Sequence, residues 1–322
     1  MNWNEIRKIH TWLPNTGEGW HQHPNGEGWV QDTARVENTA YVGPEALVSG
    51  EAWVYDEARI SGKAWVYDKA EVSDEALVSG KARVSHEARV YGKARVSGEA
   101  WVSREVRIYG EAWVYGKAEV SDEALVSGKA RVSHEARVYG KARVSHEAWV
   151  SREARVYGKA RVYGQAQVYG QARVYGEAEV YGKARVYGQA QVYGQARVYG
   201  KARVSHEAWV YGQAQVYGQA RVYGEAEVYG EAWVSDEAQV YGQARVSGEA
   251  RISKTSDYIT IGPIGSRSAI LTAFRSTSGI TLVTGCFIGD LAGFRKALEG
   301  ETGKHYEVDY PIFLDAIEKY FQ

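Results

Sequence analysis

Cysteine, methionine and phenylalanine are scarce in this chain: its 322 residues include one Cys, one Met and five Phe. Phe274, Phe287, Phe294, Phe313 and Phe321 all fall in the C-terminal segment together with the lone Cys286, so two different objects share one chain. A single cysteine excludes a disulfide framework and any Cys-based zinc site, and it fits a reducing compartment. Proline is absent between Pro44 and Pro263, as expected where every backbone N–H must reach a neighbouring strand. No stretch of about 18 apolar residues occurs, which argues against a membrane-spanning helix. An excess of either charge is also missing. The 39 basic and 40 acidic residues leave a net charge of −1, too little for a nucleic-acid binder held by phosphate contacts. The opening Met1-Asn2-Trp3-Asn4-Glu5 has no basic-then-apolar signal peptide. Together these features predict a soluble, cytoplasmic protein with neither a nucleic-acid nor a membrane partner.

What is abundant is Gly, Tyr and Trp, at 36, 24 and 11 residues. From Ala34 to Ala250 every sixth residue is Ala, apart from Val106, which makes 37 uninterrupted hexads. Two residues after each Ala stands Val, or Ile at Ile60, Ile108 and Ile252. The order apolar, polar, apolar has the period of two of a strand with one buried face. Such a strand is too short for a hairpin and suits one side of a coil, so the fold class is an all-β solenoid. Gly takes the second position after Val in 23 of the 37 hexads, where a positive φ would turn the corner. Asp, the commonest replacement along with His, tolerates that geometry; Arg104 and Arg152 fit it less well.

Val-Tyr-Gly-Lys-Ala-Arg resembles the hexapeptide of left-handed β-helix proteins, and the resemblance covers residues 28–254. It implies a single-stranded left-handed β-helix in which three hexads close a triangular 18-residue coil, giving a rod of about twelve coils with a Val and Ala core. The Trp spacing suggests an alternative. Trp29, Trp53, Trp65, Trp101, Trp113, Trp149, Trp209 and Trp233 are separated by multiples of 12, as two-sided 12-residue coils would produce. Copying also preserves that phase, because residues 69–97 and 117–145 are identical.

Three domains are expected: an aromatic N-terminal cap over residues 1–33, the solenoid over 34–254, and a small α+β domain over 255–322. A cap is needed because open coil edges template end-to-end association, which also makes a homo-oligomer compatible with the sequence. The string from His21 to Val30 resembles the lead-in of hexapeptide-repeat proteins of phages and bacteria, as does the C-terminal tail. His21 and His23 stand two apart, but without a third ligand they read as packed cap histidines, and no metal or cofactor is expected. In the tail, Tyr258–Gly262, Ala269–Arg275 and Ile280–Thr284 read as strands. Asp290 opens a helix with a Leu291, Phe294, Ala297 and Leu298 stripe ended by Gly300. Asp309 and Pro311 open a second helix, with Phe313, Ile317, Tyr320 and Phe321 as its stripe.

The resemblance brings in acyltransferases, which use a catalytic His and often an extruded loop. No loop interrupts these hexads, and His86, His134, His146 and His206 share one turn position, each followed by Glu. Asp56, Asp74, Asp122, Arg104 and Arg152 fill the same position before Glu, which a catalytic site would not tolerate. The outer Tyr and Arg residues should form ladders, alternating guanidinium and ring, that stabilise the rod; sugar or base stacking is the lesser reading. A ligand site fits the tail best. There the Gly-rich Gly262–Arg267 connection and the Gly285–Asp290 run into a helix N-terminus would hold a small anion with Ser266, Arg267, Cys286 and His305. The reading of the whole is a non-enzymatic rod with no face reserved for one local site, encoded by a phage or prophage, that presents the C-terminal domain to an unknown protein. A ligand-binding or sequestering protein is the alternative, and an acyltransferase a distant third.

Overall fold

The computed structural model of the chain describes residues 1–265, 268–299 and 309–322. It forms two compact units, Met1–Gln171 and Ala172–Gln322. Both contain coils of the same design. Each hexad contributes a two-residue strand, and three parallel sheets form from strands three hexads apart. In the first unit Leu77 lies opposite Arg95 and Val78 opposite Val96; in the second Glu179 lies opposite Arg197 and Val180 opposite Val198. Every partner is eighteen residues further along, so the coil has three sides.

That register excludes the two-sided, 12-residue coil. The tryptophans do not mark one face: Trp65, Trp53 and Trp113 belong to three different sheets. A shift of 12 residues moves to another side of the triangle, so their common phase of 12 spreads the tryptophans over all three sheets. The identical segments 69–97 and 117–145 behave in the same way. Leu77 and its copy Leu125 lie in different sheets, as do Glu71 and Glu119.

The interior follows from residue size. From Ala40 to Ala250 the hexad Ala residues are fully buried, as are Val106 and the Val or Ile residues two places on, from Val42 to Val246. Three faces meeting around a narrow axis leave room only for small and β-branched side chains, and the latter suit extended backbone. At the corners the chain turns through left-handed geometry, with φ of 69° at Gly92, 55° at Asp56, 59° at His86 and 66° at Arg104. Arg104 and Arg152 therefore turn the corner as the glycines do, although left-handed backbone costs a residue with a Cβ about 1–2 kcal/mol. Asp recovers part of that cost. Asp74 and Asp122 accept hydrogen bonds from the corner amides of Gly92 and Gly140, at 2.7 and 3.0 Å.

In the first unit the chain begins with helix α1, Trp3–Ile9, opened by an Asn2–Glu5 capping box. Its Ile6 packs with Leu13 and Leu47 under Trp3, Trp20, Trp29 and Trp65. Trp29, Leu47 and Trp65 are consecutive rungs of one sheet, so α1 covers the outer side of that sheet. Leu47, in a position that faces outward elsewhere, is fully buried here.

In the second unit the tail is a four-stranded antiparallel meander of Tyr258–Ile264, Ala269–Ser276, Gly279–Thr284 and Phe287–Asp290, one strand more than the sequence predicts. Helices α2, Leu291–Leu298, and α3, Tyr310–Phe321, supply Phe294, Leu314, Ile317 and Phe321 to a core shared with Leu271, Ala273 and Leu282. The apolar stripes differ from expectation: Ala297 and Tyr320 are exposed, and Leu314 is buried while Phe313 is only half-buried. The predicted helix stop at Gly300 lies outside the described residues.

Candidate functional site

A parallel coil stack has a polarity. The amide of a strand residue donates to a carbonyl seventeen residues on, as Tyr41 N does to Ala58 O at 2.8 Å and Arg197 N to Ala214 O at 2.9 Å. Amides therefore point towards later coils and carbonyls towards earlier ones. The first coil is left with unpaired carbonyls and the last with unpaired amides, and burying either without a partner would be costly.

The two termini supply the groups these edges need. At the start of the first unit, Asn25 Nδ2 donates to Ala40 O at 2.9 Å. Gly28 N donates to Val42 O at 2.8 Å. His10 Nε2 lies 2.9 Å from Glu45 O, and since a carbonyl only accepts, that nitrogen carries the hydrogen. Burial of the ring holds the His10 pKa below the usual histidine value. At the end of the second unit the pattern inverts. Gln239 N donates to Thr255 Oγ1 at 3.2 Å, Tyr241 N to the Tyr258 hydroxyl at 3.2 Å, and Arg245 N to Thr272 Oγ1 at 3.0 Å. The Asp257 carboxylate accepts from Ser253 N and Lys254 N, both at 2.8 Å. Thr255, Asp257, Tyr258 and Thr272 replace the coil that is not there. The tail thus ends the solenoid with side-chain oxygens.

The outer surface is organised in columns one coil apart. Tyr stacks on Tyr, with ring centroids 4.8 Å apart at Tyr175 and Tyr193 and 4.9 Å at Tyr193 and Tyr211. This differs from the expected alternation of Arg and Tyr, because these tyrosines follow the core Val while the Arg residues precede it; Arg59 over the Tyr41 ring, at 4.8 Å, is a place where the two do meet in one column. Tyr hydroxyls reach the strand residue sixteen positions on: Tyr199 donates to Gln215 at 3.2 Å and Tyr211 to Glu227 at 3.1 Å. At Ser49, Ser97 and Ser133 a Trp sixteen residues on takes this place. Trp65 and Trp113 donate to Ser49 and Ser97 at 2.8 and 3.2 Å. Burial and then the neighbouring Glu227 carboxylate raise the Tyr211 pKa above the usual tyrosine value.

The repeat histidines face their own preceding serines. His86, His134, His146 and His206 place Nδ1 within 3.0 to 3.1 Å of Ser85, Ser133, Ser145 and Ser205. None of these pairs the ring with the glutamate that follows it in sequence. In the N-terminal cap, His21 contacts Asp32 at 2.8 Å and is exposed, whereas His23 is buried. Among the described residues no three His, Cys, Asp or Glu side chains are grouped to hold a metal.

Of the tail residues predicted to bind an anion, Ser266, Arg267 and His305 lie outside the described residues. Cys286 is exposed, with Gly285 in the turn between the third and fourth tail strands. The segment from Gly285 to Asp290 is therefore mostly strand. At the α2 N-terminus the Asp290 carboxylate already accepts from Gly293 N at 2.6 Å. No helix among the described residues is long and apolar enough to cross a membrane.

A family model described as YdcK Beta solenoid repeat matches residues 88–104, 136–152, 154–170, 190–206 and 196–212, all within the coils. No curated protein matches the chain. What the hexads are similar to is thus a solenoid repeat, in keeping with their three-sided register.

Proposed function

We propose that this chain is a non-enzymatic β-solenoid scaffold that carries a cap at its N-terminal end and a small α+β domain at its C-terminal end. The observation that carries the reading is the placement of one sequence on different faces: Leu77 and its copy Leu125 lie in different sheets. A surface whose features are reassigned by copying has no side reserved for a single reaction, while the Val and Ala interior is indifferent to the change. The stacked Tyr rings support the same reading, because rings 4.9 Å apart cover each other's faces and act as internal struts. This proposal takes the winding as left-handed, as the hexad resemblance implies, and the chain as a phage or prophage product acting in the host cytoplasm. The partner it presents to is a protein held through the C-terminal domain.

Deletion tests the reading. Removing residues 69–122 takes out three whole coils and keeps every column; removing 69–116 rotates every later column by one side of the triangle. A scaffold tolerates both, with cooperative thermal melts retained and the 69–116 deletion the less stable of the two. Unfolding of both variants would show that the hexads are not interchangeable.

A further inference from the structure

The Tyr ladders end in one place that differs from all their other rungs. Among the described tyrosines only Tyr241 and Tyr320 are exposed, each at 46 %. Both line the same cleft of about 330 Å³, with Thr255, Ser256, Tyr258 and Thr260. Tyr241 is the last rung of its column. One ring face stacks on Tyr223 at 5.4 Å, and no further rung follows; instead Tyr258 meets it at 78° with centroids 6.2 Å apart. Tyr258 thus covers Tyr241 less fully than a stacked ring would, and Tyr241 stays exposed along the cleft.

We propose that this cleft binds a neutral saccharide, with a pyranose ring laid against Tyr241. Three observations select that chemistry. The exposed part of the Tyr241 ring offers an apolar platform for the C–H side of a sugar ring. Beside Ile259, the rest of the wall carries the hydroxyls of Ser256 and Thr260 together with those of Thr255 and Tyr258, which accept from coil amides and keep a hydrogen to donate, and such groups match the hydroxyl groups of a sugar. Among the described residues no charged side chain lines the cleft. The nearest acid in sequence, Asp257, is committed to the Ser253 and Lys254 amides, to the Ser253 hydroxyl and to Arg275, whose Nε lies 3.7 Å away. The volume stands near the lower end of the roughly 300–1,000 Å³ range of ligand pockets, which fits one or two sugar rings.

Saturation-transfer NMR on the full chain tests this, with the neutral mono- and disaccharides of glucose, galactose, mannose and N-acetylglucosamine as probes and adenosine monophosphate as the charged aromatic competitor. At least one saccharide should receive saturation at its ring C–H protons, and its dissociation constant should rise tenfold or more in Tyr241→Ser. That variant installs a residue that the coils already carry at Ser205 and Ser247. Tyr320→Ala, in the same cleft but outside the coil, should weaken the same saccharide with an unchanged melting temperature. The proposal is overturned if no saccharide receives saturation, if both variants bind as the parent does, or if the nucleotide binds and the sugars do not.

Discussion

Glu71 and Arg89 stand on adjacent coils of one sheet, with Arg89 Nε 3.3 Å from Glu71 Oε2. The same pair recurs as Glu119 with Arg137 at 3.2 Å, Glu179 with Arg197 at 3.9 Å and Glu227 with Arg245 at 3.7 Å. Each outward strand Glu thus has an Arg eighteen residues on. Such exposed pairs contribute about 0.2–1 kcal/mol each. Glu71→Arg should therefore destabilise the protein slightly in low salt, and the double exchange Glu71→Arg with Arg89→Glu should restore the parent value, as read by urea melts. A loss that persists in the double variant would assign the effect to something other than the column.

Those pairs also show what the sequence made legible. Hexad period, buried Ala and Val, and left-handed corners follow from small residues at fixed spacing. The coil size was legible too, but in the wrong place for a search by tryptophan: it lies in Glu followed eighteen residues later by Arg, and in Ser followed sixteen later by Trp. The covering of Leu47 by α1 was not legible. Leu77 and Leu125 hold the same outward position and are only half-buried, so nothing in the hexad marks Leu47 as different. The fourth tail strand was hidden by Gly285 and Gly289, which read as a loop, although its pairing with Gly279–Thr284 gives it a partner that local pattern cannot reveal. The acceptors Thr255, Tyr258 and Thr272 carried no signal either, because their role depends on where the last coil stops.

Two glycines should respond differently to alanine. At Gly98 φ is 74°, and an added Cβ would lie 2.8 Å from Gly116 N and O. Corners already accept His, Asp and Arg, so Gly98→Ala should cost about 1–2 kcal/mol in a denaturant melt and leave the fold intact. At Gly28 an added Cβ would lie 2.4 Å from Gly43 O and 2.5 Å from Val42 Cγ1, in the loop that closes the first coil. Gly28→Ala should displace that loop and cost more than Gly98→Ala, with faster amide exchange confined to the N-terminal coils. Equal costs would mean that the lead-in does not press on the Val42 backbone.

The N-terminal cap should weaken in mild acid. Burial holds the His10 pKa below its ordinary value, so below a pH of about 6.5 the unfolded segment takes up a proton that the folded one resists. The stabilisation is complete above that pH and falls as pH drops through the histidine range. Amide protection factors over Trp3–Ile9, which correct for the intrinsic pH dependence of exchange, should fall between pH 7.5 and pH 5, and His10→Gln, which keeps a donor near Glu45 O, should flatten that dependence. Protection factors independent of pH in the parent would show that His10 does not hold α1 in place.

The claim that the tail closes an edge of free amides is tested most directly by sedimentation velocity of a chain ending at Lys254, alongside the intact protein. Removing Thr255, Asp257, Tyr258 and Thr272 leaves the amides of Gln239, Tyr241, Arg245 and Ser253 without acceptors, an edge that templates pairing with another chain. The account predicts that the shortened protein keeps its β-sheet circular dichroism and associates as its concentration rises, while the intact protein sediments at one rate over the same range. A shortened chain that stays folded and sediments as a single species at every concentration would contradict it.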